Sequence, residues 1–374
     1  MTRCLRKAKF VSSGVAEVRF LRSAPSLCIL PCPSYNVHGR AGHSLFRCEL
    51  RCNEHHMKAY YKLVVVWQKR PPDLQARSGL PNGCVAMLVF TDWDETISSH
   101  DTLAAISPED CVDAEGNVVT FTALGKAYTA DMEAHTRLRA SPTTLEAQLE
   151  FLDSLDAVEL KSQARIEAVG LFKGFDPIAM EERARKEVSF RNGWPQAASW
   201  LSAQSNLETH FISVGWSGRF IWAALDTDAG GHFRPDSICA NEIELDSAGR
   251  GTGKLTKSND AGASQGIRVA SDKLREMQRI DPHARAVRVY AGDSTTDLVC
   301  LLSVHVGLIL GEAGTLLATI ERIGFADKVL TPKQWHENGK PLGDPSLHSG
   351  KKVLVHVRDW EQALPILQEL KQKT

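Results

Sequence analysis

From residue 85 onward the chain predicts an α/β protein: a Rossmann-like parallel sheet carrying a mainly α-helical insert after its first strand. Three observations predict it. Short, unbroken apolar runs recur along the sequence, the mark of strands buried on both faces. Helix-period patterns separate them, and strand–helix alternation builds parallel sheets through right-handed crossovers. About 105 residues between the first two runs show little strand pattern and read as helices.

In chain order, Ala86–Phe90 (AMLVF) is the first strand. Phe121–Leu138, Thr143–Val169 and Asp176–Val188 repeat apolar residues at three and four, so each predicts a helix. Thr209–Ser213 (THFIS), Ala286–Tyr290 (AVRVY), His305–Leu310 (HVGLIL) and Lys352–Val357 (KVLVHV) predict the remaining strands. Ser217–Leu225, Ser264–Arg279, Thr295–Leu302, Gly314–Ile323 and Trp360–Leu370 predict the helices between and after them. Ile238–Leu245 is strand-like, and a turn joins it to Leu255. That turn explains Gly249–Lys254 (GRGTGK) better than a phosphate-binding loop, because Ala248 stands where the first glycine of such a loop belongs. Thr331–Gly350 reads as a surface loop, with folding over a site as the alternative.

The organisation is then a leader, residues 1–84, a core built from 85–101 and 209–374, and a helical cap inserted as 102–208. The formal net charge is −1, but it is a cancellation. Residues 1–84 hold 14 Lys/Arg and 4 Asp/Glu, whereas the remainder holds 30 and 41. A body this acidic excludes nucleic acid as a bulk-charge partner, and no apolar run reaches the roughly 18 residues of a membrane span. Six of the nine cysteines fall in the leader, too scattered for a disulfide framework. Three readings stand for the leader: a poorly ordered extension or a start codon placed too early, an organelle transit peptide, and a zinc site from Cys28, Cys32, Cys48, Cys52, His55 and His56. The first two imply a cytoplasmic and a mitochondrial protein respectively.

Chemistry concentrates at strand ends. The first strand runs into Thr91-Asp92-Trp93-Asp94-Glu95-Thr96. Acids at i and i+2 on an extended segment point the same way, and in an open parallel sheet ligands bind beyond the carboxyl ends of the strands. Two crowded carboxylates raise one another's pKa unless a cation or shared proton relieves them. That suits a Mg²⁺ site, or a nucleophile with an acid/base partner. Val289–Asp297 (VYAGDSTTD) repeats the pattern, with Asp293 and Asp297 after a second strand. Ser213 ends a third, just before Val214-Gly215 and a helix N-terminus suited to anions. Lys273 sits on the helix entering the Asp293 strand, where an ammonium would offset phosphate; Lys254 and Lys257 are its competitors.

In that order, Asp92-x-Asp94-x-Thr96, Ser213, Lys273 and Gly292-Asp293-x3-Asp297 resemble the four motifs of the haloacid dehalogenase superfamily of phosphohydrolases. The resemblance covers about residues 86–310. The D-W-D-E-T-I start and the helical insert are similar to the phosphoserine phosphatase-like branch with its C1-type cap, which includes phosphoethanolamine/phosphocholine and small polyol phosphatases. The resemblance implies a Mg²⁺-dependent phosphomonoesterase acting on a small phosphorylated metabolite through an aspartyl-phosphate. It implies Asp92 as nucleophile, Asp94 as general acid/base, and Ser213 and Lys273 as phosphoryl-holding groups. It places the metal on Asp92, the backbone carbonyl of Asp94, Asp293 and Asp297, the last also able to orient Lys273. Asp101, nine residues past the nucleophile, matches a substrate-binding acid of the branch. Arg191-Asn192-Gly193-Trp194 resembles its segment re-entering the core, so Arg191 and Gly215 join the substrate-binding expectations. A phosphomutase, and an inactive binding or scaffold protein, are the other functions this pattern allows.

Overall fold

The computed structural model describes residues 86–262, 266–282 and 286–374. The leader and its cysteine–histidine cluster lie outside the described residues. The first strand, β1 (Met87–Thr91), is buried on both faces. After it come a short helix α1 (Leu103–Ile106), a hairpin of β2 (Asp110–Val112) and β3 (Val118–Thr120), and four helices: α2 (Phe121–Arg137), α3 (Leu145–Ser154), α4 (Asp156–Val169) and α5 (Pro177–Glu187). The chain then runs through α6 (Trp194–Ala203), β4 (Leu207–Ile212), α7 (Gly218–Leu225), β5 (Ser237–Cys239) and a hairpin of β6 (Asn241–Leu245) and β7 (Gly251–Lys257). It continues as α8 (Ala270–Ile280), β8 (Val287–Gly292), α9 (Leu298–Leu301), β9 (Val306–Leu310), α10 (Gly314–Arg322), β10 (Val329–Leu330), α11 (Pro332–Glu337), β11 (Leu354–Val357) and α12 (Trp360–Gln372).

Seven strands form one sheet in the order β10-β11-β9-β8-β1-β4-β5, with parallel neighbours throughout. The expected Rossmann-like sheet is therefore present. β1 sits inside it, with β4 on one side and β8 on the other, so the strand order reverses there. At such a switch point the crossovers leave to opposite faces and open a crevice at the carboxyl ends. The register puts Thr91 beside both Phe211 and Ala291. Asp92, Ser213 and Asp293 therefore emerge at one level.

Two apolar clusters cover the faces of the sheet. In one, Trp194 of α6 packs edge-on against Trp360 of α12, centroids 5.1 Å apart. The two ends of the stretch between α1 and α5 meet as an antiparallel bridge, Ser98 to Phe190. No helix among the described residues is long and apolar enough to cross a membrane.

Three elements differ from expectation. The run read as one helix over Thr143–Val169 divides at Leu155 into α3 and α4, because α3 packs on α8 and α4 on α2. The helix expected from Ser264 begins at Ala270. Its approach is held extended by Asn241, whose side chain exchanges two hydrogen bonds with the backbone of Ile267, each 2.8 Å. The segment Thr331–Gly350 contains α11 with Trp335 fully buried, and Gly343 N donates to His305 O just before β9. It therefore lies at the amino-terminal end of the sheet, opposite the catalytic-looking acids.

Candidate active site

Four carboxyl groups and one ammonium meet beyond β1 and β8. Lys273, fully buried on α8, places Nζ 2.8 Å from Asp92 Oδ1 and 2.8 Å from Asp297 Oδ1. Oxygens of Asp92, Asp293 and Asp297 all lie within 4.8 Å of one another. Asp297 is saturated. Its Oδ1 accepts from Lys273 Nζ and from the Tyr290 hydroxyl at 2.8 Å, and its Oδ2 from Asp293 N at 3.2 Å, Ser294 N at 3.1 Å and Ser294 Oγ at 3.0 Å. Gly292 makes room for that carboxyl, since a Cβ there would fall 2.5 Å from Asp297 Cγ. Asp293, by contrast, accepts one side-chain bond, from Thr96 Oγ1 at 2.9 Å.

Burial and like charge set the protonation of this cluster. Burial, then the Asp297 carboxylate, push Asp92 well above the usual carboxylate range, against the pull of Lys273. Burial and Asp297 likewise push Asp293 up to about 7, opposed by the Thr96 hydrogen bond. Burial lifts Asp94 to about 6 while hydrogen bonds from Thr102 restrain it. For Lys273 burial pulls downward, but the Asp297 and Asp92 carboxylates outweigh it and hold the ammonium above its ordinary value. Carboxylates held above their unfolded values prefer the proton, so the surroundings oppose their ionisation.

The remaining expected residues are placed as follows. Ser213 N donates to Cys239 O at 2.9 Å, and Ser213 Oγ accepts from Gly215 N at 2.9 Å. A Cβ on Gly215 would sit 3.0 Å from Ser213 Oγ and 3.6 Å from Asp94 Oδ2, so Ser213, Gly215 and Asp94 share one wall. Arg191 spends its guanidinium on backbone carbonyls, bonding Glu95 O and reaching Arg358 O at 3.5 Å. It braces the turn after Asp94, where Glu95 holds a left-handed φ of 54°. Asp101 is exposed and caps Leu103 N at 2.7 Å. Lys254 and Lys257 lie on β7, in a hairpin outside the main sheet. Trp93, Thr96, Thr102, Asn241 and Tyr290 hold the site together and carried no assigned role in the sequence. Asn241 also donates to Val214 O at 2.9 Å, tying the Ser213 loop to the approach of α8.

The reversal of strand order at β1, with Asp92, Ser213 and Asp293 at adjacent strand ends and Lys273 facing them from α8, decides the architecture. This is a Rossmann-like parallel sheet with its acids gathered at the switch point, the fold class the sequence predicts. No protein-family model matches the chain. It is 26% identical over 289 residues to a CTO1 family protein of Schizosaccharomyces pombe, a match spanning 73% of this chain and 97% of that protein. It is 23% identical over 254 residues to the bifunctional TH2 protein, mitochondrial, of Arabidopsis thaliana, spanning 62% of this chain but only 40% of that longer protein. Among solved structures it is similar to a phospho-aspartyl intermediate analogue of phosphoserine phosphatase, with 13% identity, a TM-score of 0.36, and coverage of 63% of this chain and 90% of that one. Cytosolic 5'-nucleotidase IIIB bound to cytidine gives 10% identity, a TM-score of 0.39, and coverage of 77% and 88%. These are distant likenesses. The site is therefore read from its own geometry.

That geometry fits a divalent cation. Three clustered carboxylates against one ammonium leave excess negative charge, and Asp92 and Asp293 are both held above their normal range, by burial first and by Asp297 second. A hard cation with oxygen ligands would relieve them. The sign of the pH effect follows. A carboxyl raised from about 3.9 to about 7 or about 6 adds stability that is complete below the lower value and lost as pH climbs through the upper one. The metal-free protein is thus expected to lose melting temperature between pH 5.5 and 8, and Asp293→Asn to flatten that decline. Added Mg²⁺ should restore more stability at pH 8 than at pH 5.5, because protons compete with the ion. A decline unchanged in Asp293→Asn would refute the assignment.

Proposed function

We propose that the protein is a Mg²⁺-dependent phosphomonoesterase acting on a small phosphorylated metabolite. The observation that carries this reading is the buried Lys273 bridging Asp92 and Asp297 beside Asp293 and Asp94 at one switch point. Asp92 is the nucleophile. Its oxygen bonds to phosphorus as the ester P–O bond breaks, and Asp94 gives its proton to the departing oxygen. A water then attacks the aspartyl-phosphate, handing a proton back to Asp94, and inorganic phosphate and the Asp92 carboxylate are released. An Asp94 that titrates near 6 is suited to hold a proton in one half and accept it in the other.

Ser213 and Lys273 hold the phosphoryl oxygens, Gly215 at the substrate-facing wall orients the Ser213 hydroxyl, and Asp297 keeps Lys273 oriented. For phosphoryl transfer such positioning and electrostatics supply nearly all the rate. Mg²⁺, on Asp92, Asp293 and the Asp94 carbonyl with Asp297 behind, would neutralise the equatorial oxygens when bound. Arg191 supports the loop that carries Asp94, and Asp101, exposed at the start of α1, is the substrate-binding acid of this reading.

The test is phosphate release from p-nitrophenyl phosphate and a panel of phosphorylated metabolites, with Mg²⁺ and with chelator. Metal-dependent release at micromolar enzyme is expected. Well-folded protein releasing none from any substrate would favour the scaffold reading, and conversion of one phosphate ester to its positional isomer would favour a mutase.

A further inference from the structure

Asp94 is held by two neighbours in a way that distinguishes its oxygens. Thr102, at the start of α1, donates to Asp94 Oδ1 twice: from its backbone N at 2.8 Å and from its hydroxyl at 2.6 Å. The Thr102 hydroxyl in turn receives the indole N–H of Trp93 at 3.0 Å. Both side chains are buried, Trp93 completely and Thr102 to all but 1%. An indole N–H can only donate. The Thr102 oxygen must therefore accept from Trp93, and its single proton points to Asp94 Oδ1. Oδ1 consequently faces two donors and has no room for a proton of its own.

We infer that Trp93 and Thr102 form a directional hydrogen-bond relay that reserves Oδ2 of Asp94 as the oxygen that carries the transferable proton. The surroundings agree. Oδ2 is the oxygen that faces Gly215 and Ser213 Oγ, on the wall where the missing side chain of Gly215 leaves space. α1 itself is pinned at its other end by Arg183 of α5, whose guanidinium donates to Ala105 O at 2.8 Å and Ile106 O at 3.0 Å. Thr102 is thus a positioning residue fixed from both sides, and the indole of Trp93 sets the direction of its hydroxyl. Without the relay Asp94 can place its proton on either oxygen, and only one of them addresses the leaving group.

This rests on the phosphomonoesterase reading, and the experiment separates the two. The ratio kcat/KM is measured for p-nitrophenyl phosphate and phenyl phosphate, which share a shape but differ in leaving group. Phenolate leaves from a tyrosine-like hydroxyl of pKa about 10 and needs the proton, whereas nitrophenolate leaves readily without it. Because general-acid catalysis contributes about 10²–10⁴-fold, Thr102→Val is expected to lose roughly 30-fold or more on phenyl phosphate and less than about 5-fold on p-nitrophenyl phosphate. Thr102→Ser keeps the hydroxyl and should recover most of the phenyl phosphate rate. Trp93→Phe, which leaves Thr102 in place, should show the same leaving-group bias at smaller size, and it carries the test should Thr102→Val fail to fold. Equal losses on both substrates, or a serine variant as poor as valine, would overturn the relay while leaving the phosphatase intact. A wild-type protein inactive on both substrates would remove the phosphatase reading and the relay with it.

Discussion

Asp92→Asn is expected to abolish turnover, by at least about 10⁴-fold, without unfolding the protein. Removing a covalent nucleophile costs this much because the groups around it act as a unit and cannot substitute for it. The stability half of the expectation is less obvious. Burial and the Asp297 carboxylate already disfavour the charged form of Asp92, so an uncharged isostere relieves repulsion between two buried acids. Lys273 keeps Asp297 as its partner. The metal-free variant at pH 7.5 should therefore melt at or above the wild-type temperature, while gaining less from Mg²⁺. Calorimetry with and without the ion, alongside steady-state assays, measures both. A variant with near wild-type rate would end the nucleophile assignment, and a large drop in melting temperature would show that Asp92 is a net stabilising partner of Lys273.

The second large effect is on folding. Lys273→Met should lower the unfolding free energy by about 3–5 kcal/mol, the usual cost of removing one partner from a buried ionic group. Lys273 is wholly inaccessible to water, so solvent screening does not soften the loss. The Lys273 ammonium is held above its ordinary value. Its contribution is complete below about pH 10.4 and is lost only as pH rises beyond that, so it is fully present at neutrality. In the variant, Asp92 and Asp297 face each other without a cation, and protonation of Asp92, which burial already favours, offers the relief at lower pH. The deficit in urea melts should shrink as pH falls from 8 toward 5. Adding Asp92→Asn to Lys273→Met should recover part of it, since contacting residues are not additive. A deficit below about 1 kcal/mol, constant with pH, would mean the ammonium is not the counter-charge described here.

Much of the site could be read along the chain because its chemistry lies at strand ends. Asp92, Ser213 and Asp293 each follow an apolar run, and a parallel sheet aligns the ends of neighbouring strands. The choice among Lys254, Lys257 and Lys273 could not be read so directly: all three are lysines in polar surroundings, and only α8 faces the site. Thr96 was visible in its motif, but its partner Asp293 is 197 positions away. Tyr290 looked like one more apolar strand residue, although its hydroxyl ends on Asp297. The hairpin of β2 and β3 has strands of three residues, too short for an alternating pattern to register.

The sequence alone determined the class of fold, its first strand, and which carboxylates stand at that strand's end. Those features are written in local periodicity, and local periodicity follows from the geometry of one strand or helix at a time. Tertiary structure decided the rest: which lysine is buried among the acids, which side chains restrain each oxygen of Asp94, and how burial moves the site's protonation toward neutral pH. Those depend on distance through space and on exclusion of water, and neither is a property of any short stretch of chain.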